Sequence, residues 1–277
     1  MTQALIDALV GRLVRELAVL VTVDSTQGSV PREPGAWMAV FADGASVGTV
    51  GGGHLEFEAI DLARRGLAGQ PIEAQRRFAL GPSLGQCCGG VVHLRFESLR
   101  SSDAVALRSR LEAAADAQRL PVALFGGGHV GHAIVNALIP LPVKIHWIDS
   151  RDEVFPAALP RWVTAEHSAP VHAAVADLAP RSRVLIMSFS HAEDLDIVAA
   201  CLQRRRECVD LPFIGLIGSK SKWASFRHRL EARGYGEAEL AHVTCPIGLT
   251  AVAGKEPEVI AVAVAAQLMQ GRRTQNT

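Results

Sequence analysis

Val122-Ala-Leu-Phe125 runs directly into Gly126-Gly-Gly128-His-Val-Gly131, and this stretch decides the fold of the second half of the chain. Four apolar residues of the buried-strand type precede a G-x-G-x-x-G loop, and apolar spacing from His129 to Ile139 predicts a helix after it. The next apolar run, Lys144 to Asp149, ends on an acid 18 residues beyond Gly131. Strand, glycine loop, helix, strand and acid, in that order, form the fingerprint of a dinucleotide-binding βαβ unit. Gly126 permits the tight turn, Gly128 lets backbone approach a pyrophosphate, and Gly131 lets the helix pack close to the sheet. The helix amides and dipole would then favour the anion. Asp149 is the expected acceptor for the ribose hydroxyls and favours NAD over NADP, whereas Arg151 nearby pulls the other way. The same loop is also compatible with a turn that binds nothing.

Downstream the rhythm continues. Arg183 to Ser188 and Phe213 to Ile217 read as short strands, and helices are expected at 192–206, 220–233 and 257–270. Strands alternating with helices imply parallel pairing through right-handed crossovers. His191, just past a strand end, is either an acid–base candidate or part of a helix start with Asp194 in its first turn. Lys220, Lys222 and Arg227 read as a solvated basic face, with an anion site at the helix start as the alternative.

The first half has a different character. A helix is expected over 3–17, strands at 18–23, 37–41, 46–50, 76–80 and 91–97, and a helix at 54–67. Asp24 to Gly35 reads as a loop from its glycines, prolines and small polar residues. Gly51-Gly52-Gly53 leads from a strand into a helix, so its amides could cradle a phosphate, although Glu56 and Glu58 would oppose one. Gly85-Gln86-Cys87-Cys88-Gly89-Gly90 sets two thiols between glycines. If the pair is extended its side chains point to opposite sides. Cys87, next to the amide of Gln86, is then the ligand-facing thiol and Cys88 a packing residue. The expected class is α/β, with an N-terminal mixed α/β domain (1–100), a linker helix (101–120) and a C-terminal Rossmann-like doubly wound parallel sheet (121–277).

Composition narrows the function classes. Lys plus Arg and Asp plus Glu are 28 each, so no basic stripe of the kind nucleic-acid binders use is indicated. No apolar run reaches the roughly 18 residues of a membrane span, and the N-terminus has no signal-peptide pattern, which points to the cytoplasm. Five cysteines at irregular spacing form neither a disulfide framework nor a zinc motif. Apart from the His191 candidate, no clear general acid, nucleophile or metal-ligand cluster accompanies the glycine loop.

Several stretches resemble the xanthine dehydrogenase accessory proteins of the XdhC/CoxI type: Thr26-Gln-Gly-Ser-Val-Pro-Arg32-Glu-Pro-Gly35-Ala-Trp-Met38, Gly48-Thr-Val-Gly-Gly-Gly-His-Leu-Glu56, Gly85 to Gly90, the loop at 125–131, Phe213 to Ser219, and Cys245-Pro-Ile-Gly-Leu249. They span nearly the whole chain in order. The resemblance implies a chaperone without turnover of its own. Such a protein binds molybdenum cofactor (molybdopterin) and promotes its sulfuration and insertion into xanthine dehydrogenase or a related molybdenum hydroxylase. A cysteine desulfurase and cofactor-synthesis proteins are implied as further partners, with self-association, most simply as a dimer. Cofactor contacts are expected from Arg32, Gly51, Gly52, Gly53, Gln86, Cys87 and Cys88, and NAD or another nucleotide is expected at Gly126, Gly128, Gly131 and Asp149. One departure stands out: a second histidine is expected in the loop after Ser188, and Ala192-Glu193-Asp194 stands there instead. The competing expectation is an NAD-dependent oxidoreductase.

Overall fold

A computed structural model describes residues 3–80 and 89–270, which divide after Ala117 into two compact units. In the first, α1 (Gln3–Leu13) precedes β1 (Ala18–Gln27), β2 (Trp37–Phe41) and β3 (Ser46–Gly48). Then come α2 (Gly53–Leu67), β4 (Gln75–Ala79), β5 (Val91–Leu99) and α3 (Ala104–Ala117). The strands form one sheet in the order β3-β2-β1-β5-β4, each described pairing antiparallel. Period-two alternation sorts the side chains into two cores. Val19, Val21, Val23, Met38, Val40, Val92 and Leu94 pack on Leu55, Ala59 and Ala63 of α2. Ala18, Leu20, Trp37, Ala39, Phe41 and Leu99 pack on α1 and α3 through Ile6, Leu9, Leu13, Leu107 and Leu111. Strands buried on both sides read as unbroken apolar runs, which is why β1 and β2 were legible. The α3 helix is therefore a packed layer of the first unit.

β1 runs four residues beyond the expected strand. Asp24-Ser-Thr-Gln27 has loop composition, yet β1 pairs with β5 down to Gln27 opposite Val91, with a register shift between Val23 and Ser25. Cross-strand pairing overrides weak local propensity here.

The second unit comprises β6 (Leu120–Phe125), α4 (His129–Leu138), β7 (Val143–Asp149), β8 (Val163–His167), β9 (Arg183–Ile186), α5 (His191–Cys208), β10 (Phe213–Leu216), α6 (Lys220–Ala232), α7 (Glu237–Leu240), β11 (Val243–Thr244) and α8 (Pro257–Gln270). Its six-stranded sheet is parallel throughout, in the order β11-β10-β9-β6-β7-β8. Counted from β6 as the first strand, that order is 3-2-1-4-5-6 from the β8 edge, the Rossmann arrangement expected from the glycine loop. One face packs on α4 and α8 through Val122, Leu124, Ile145, Trp147, Ile134, Leu138 and Val264. The other packs on α5 and α6 through Phe125, Ile186, Ile214, Leu216, Val198 and Leu230. The edge strands β8 and β11 were not expected. The first is largely exposed and polar, the second only two residues long, so neither carries a burial pattern.

α5 ends on Val209 in the left-handed region, φ 50° and ψ 33°, a conformation strained for a β-branched residue. Its side chain is 72% exposed and so gains little from packing. Val209→Gly is expected to stabilise the protein by about 1 kcal/mol, read as a higher denaturation midpoint. An unchanged or lower midpoint counts against this strain.

Candidate functional site

In the second unit the loops after β6, β7 and β9 meet at the carboxyl edge of the sheet, where the strand order reverses and open α/β sheets bind their ligands. Gly131 and Gly126 set the loop. A Cβ on Gly131 would lie 2.1 Å from the Gly126 carbonyl oxygen, and one on Gly126, where φ is 130°, 2.1 Å from that of Met187. The Gly126 N–H donates to Ile148 at 2.8 Å, and its carbonyl accepts from the Trp147 indole at 2.9 Å. Gly128 differs, because a Cβ there would meet nothing within 4 Å. It precedes the α4 N-terminus, whose first-turn amides receive no capping side chain.

Asp149 stands where the sequence placed it, but its valence is already filled. One oxygen accepts from the Arg151 N–H and Nε, both at 2.9 Å; the other accepts from the Gly127 N–H at 2.5 Å and the Arg151 NH2 at 3.0 Å. Four donors meet the roughly four acceptor positions of a carboxylate. Burial alone would raise its pKa. The Arg151 fork and the Gly127 and Arg151 N–H bonds outweigh that and hold it below the ordinary 3.8. A ribose diol would have to displace one of these donors. The Arg151 guanidinium lies 4.5 Å from the ring centre of Phe189, whose side chain is exposed.

After β9 the helix-start reading of the His191 segment describes the structure. Ser190 caps α5, its hydroxyl accepting from the Glu193 N–H at 3.2 Å. Asp194 is buried; one oxygen accepts from the Ser188 N–H and hydroxyl, the other from Lys222 Nζ at 2.6 Å. Lys222 also donates to the Ile217 carbonyl at 2.9 Å. The solvated-face reading therefore fails for Lys222, which ties the ends of β9 and β10 together. The available signal was Gly218, whose missing side chain gives the Lys222 stem its room. Cys245 lies within electrostatic range of this pair, and burial raises its thiol pKa. Cys201 is fully buried, its pKa pushed up to about 12.

In the first unit three of the glycine-rich segments share one end of the antiparallel sheet. The loop after β1 touches the loop after β3, where a Cβ on Gly51 would lie 2.4 Å from Pro31, the neighbour of the exposed Arg32. The same β1 loop touches the start of β5, where a Cβ on Gly90 would lie 2.3 Å from the Ser29 carbonyl. Arg32 and Gly51 to Gly53 are thus brought together beside Gly90. Gln86, Cys87 and Cys88 lie outside the described residues. The amides of the triple glycine are not idle: Glu56 accepts from Thr49 Oγ1 at 2.5 Å, Gly52 N–H at 3.0 Å and Val50 N–H at 3.2 Å, and Gly51 N–H donates to Thr49 Oγ1. A phosphate at these amides would have to displace Glu56.

A Rossmann unit with a fully formed glycine loop, together with an antiparallel domain whose glycine loops cluster at one end, defines a two-unit protein with a Rossmann-like domain. The XdhC Rossmann domain model matches residues 122–268, and the XdhC and CoxI family model matches residues 14–78. The chain belongs to the XdhC and CoxI family.

Among curated relatives, it is 29% identical over 252 residues to the uncharacterized protein YqeB of Escherichia coli, covering 90% of this chain but only 42% of that protein. It is 26% identical over 280 positions to the molybdenum cofactor insertion chaperone PaoD of the same organism, covering 92% of this chain and 83% of PaoD. In fold it is similar to a crystal structure described as a xanthine dehydrogenase from Bacillus halodurans, with a TM-score of 0.70 at 20% identity over 98% of this chain and 95% of the other.

The loop geometry separates the glycines by experiment. Gly131→Ala is expected to destabilise by about 2 kcal/mol or more, because backbone must move, whereas Gly128→Ala costs about 1 kcal/mol or less. Equal losses in chemical denaturation would contradict the assignment. Asp149→Asn should cost about 1–3 kcal/mol. Because the folded pKa lies below 3.8, the carboxylate's contribution is complete above that pH and is lost as pH falls below it. The variant should therefore lose part of the wild-type drop in stability on that acid limb, and an unchanged limb counts against the latch.

Proposed function

We propose that this chain is a cytoplasmic accessory protein that binds molybdenum cofactor and promotes its sulfuration and insertion into xanthine dehydrogenase or a related molybdenum hydroxylase. It works as a carrier without turnover, self-associates, and meets a cysteine desulfurase and cofactor-synthesis proteins as further partners. The family and the likeness to PaoD support this reading.

The structural observation that carries it is the convergence of the Arg32 loop, the Gly51 to Gly53 loop and Gly90 at one end of the first sheet. The residues suit the group. An exposed guanidinium draws in an anionic ligand, close-packed glycine backbone suits the approach of a flat pterin, and a soft cysteine sulfur in the Gln86-Cys87-Cys88 segment, next in sequence to Gly89 and Gly90, suits a sulfur-rich ligand. When bound, the cofactor supplies a molybdenum centre held by sulfur, whose chemistry serves the acceptor enzyme. The Rossmann unit is proposed to take a nucleotide phosphate at Gly128 and the uncapped start of α4. An NAD-dependent oxidoreductase is the weaker reading, since Asp149 offers a ribose no unused acceptor position.

Protein purified from a cofactor-producing host should retain about one molybdenum and one pterin per chain and activate an apo-hydroxylase. Cys87→Ala should weaken retention by about ten-fold or more, equivalent to 1.4 kcal/mol, with little loss of stability, and Cys88→Ala should lower mainly stability. Activation that proceeds equally without the protein, with no cofactor held through gel filtration, overturns the proposal.

A further inference from the structure

The outer face of the first sheet is covered along only part of its length. α1 and α3 lie over Ala18, Leu20 and Leu99, and beyond them the same face carries polar side chains. The register there is fixed on three strands: Ser25 of β1 stands opposite His93 of β5, and His93 opposite Arg77 of β4. The Ser25 hydroxyl and His93 Nδ1 are 3.1 Å apart. In the neighbouring row Arg95 faces Asp24 at 3.8 Å, and Gln75 donates to Asp24 at 2.9 Å, so that acid is taken up by its own neighbours. Among the described residues Arg77 and His93 Nε2 have no acidic partner.

We propose that the Ser25–His93–Arg77 row is an anion seat that takes a phosphate monoester. The hydrogen-bonded Ser25–His93 pair keeps one proton to offer outward besides the one it shares, and the guanidinium at cross-strand spacing beside it matches two phosphate oxygens at once. Charged side chains on an edge strand also discourage edge-to-edge pairing. That accounts for Arg77 on the edge strand β4, but not for His93 and Ser25 on the interior strands β5 and β1. The row lies at the end of the sheet where Gly28 and Gly90 touch, so it adjoins the converging loops. Resting on the carrier reading above, the seat holds the phosphate of a pterin-based cofactor.

The test compares a pterin phosphate monoester with the same pterin after phosphatase treatment, by calorimetry on the full chain. Wild type should bind the phosphorylated form about ten-fold tighter or more, as charge-assisted bonds require, and added salt should narrow the gap. Arg77→Ala and His93→Gln should abolish the preference without moving the thermal midpoint, and Arg77→Lys should restore part of it. Equal binding of the two pterins, or a preference that survives both substitutions, overturns the seat and leaves the carrier reading standing. If neither pterin binds, the carrier reading fails and inorganic phosphate decides the seat. Broadening of its phosphorus resonance that disappears in Arg77→Ala supports it, and broadening that is absent or unchanged overturns it.

Discussion

Asp149 is a buried carboxylate that must be satisfied, and the carboxyl edge of the Rossmann unit is arranged around satisfying it. Its oxygens hold the Gly127 N–H, which fixes the glycine loop, and the Arg151 fork, which fixes the segment after β7. The Trp147 indole adds a bond to the Gly126 carbonyl, the same oxygen that Gly131 approaches too closely to allow any side chain. A buried charge without partners costs several kcal/mol, so Asp149 holds both the Gly127 N–H and the Arg151 fork in place. What is left open after these contacts form is Gly128 and the uncapped start of α4.

The first unit solves a similar problem in a similar way. A glycine-rich turn points backbone N–H groups into one small space, and such a nest favours an anion. Glu56 from the first turn of α2 fills the nest at Val50 and Gly52. The tetrapeptide Gly-Gly-Gly-His occurs at 51–54 and at 126–129, and in both places a carboxylate of the chain itself engages the amides. The sources differ, one four residues ahead in the same helix and the other at the end of the next strand. An anionic ligand at the first loop competes with an internal carboxylate. At the second, Asp149 holds the Gly127 N–H and the start of α4 has no side-chain cap.

The resemblance that named the family and the physics that shaped the fold draw on the same residues. Gly126, Gly131 and Gly51 stand where backbone meets backbone or a proline ring at less than ordinary contact distance, so any side chain there would break the architecture. Lys222, in contrast, looks like one charge among several on a basic helix. It becomes a structural residue only once β9 and β10 lie side by side and bring Ile217 and Asp194 within its reach.

The sequence by itself determined the parallel Rossmann unit, because glycine spacing, apolar runs and a strand-end acid are local signals that backbone sterics enforce. It likewise determined the strands β1 and β2, buried on both faces, and the helix expected over 192–206. Tertiary structure alone decided that β1 continues to Gln27, that α3 is a packed layer, and that the exposed β8 and the two-residue β11 join the sheet. These elements owe their form to partners distant along the chain and carry no periodic pattern of their own. It also decided what the acids do. A carboxylate's free acceptor positions depend on which donors surround it, and those donors on Gly127 and Arg151 become visible only when the strands are paired.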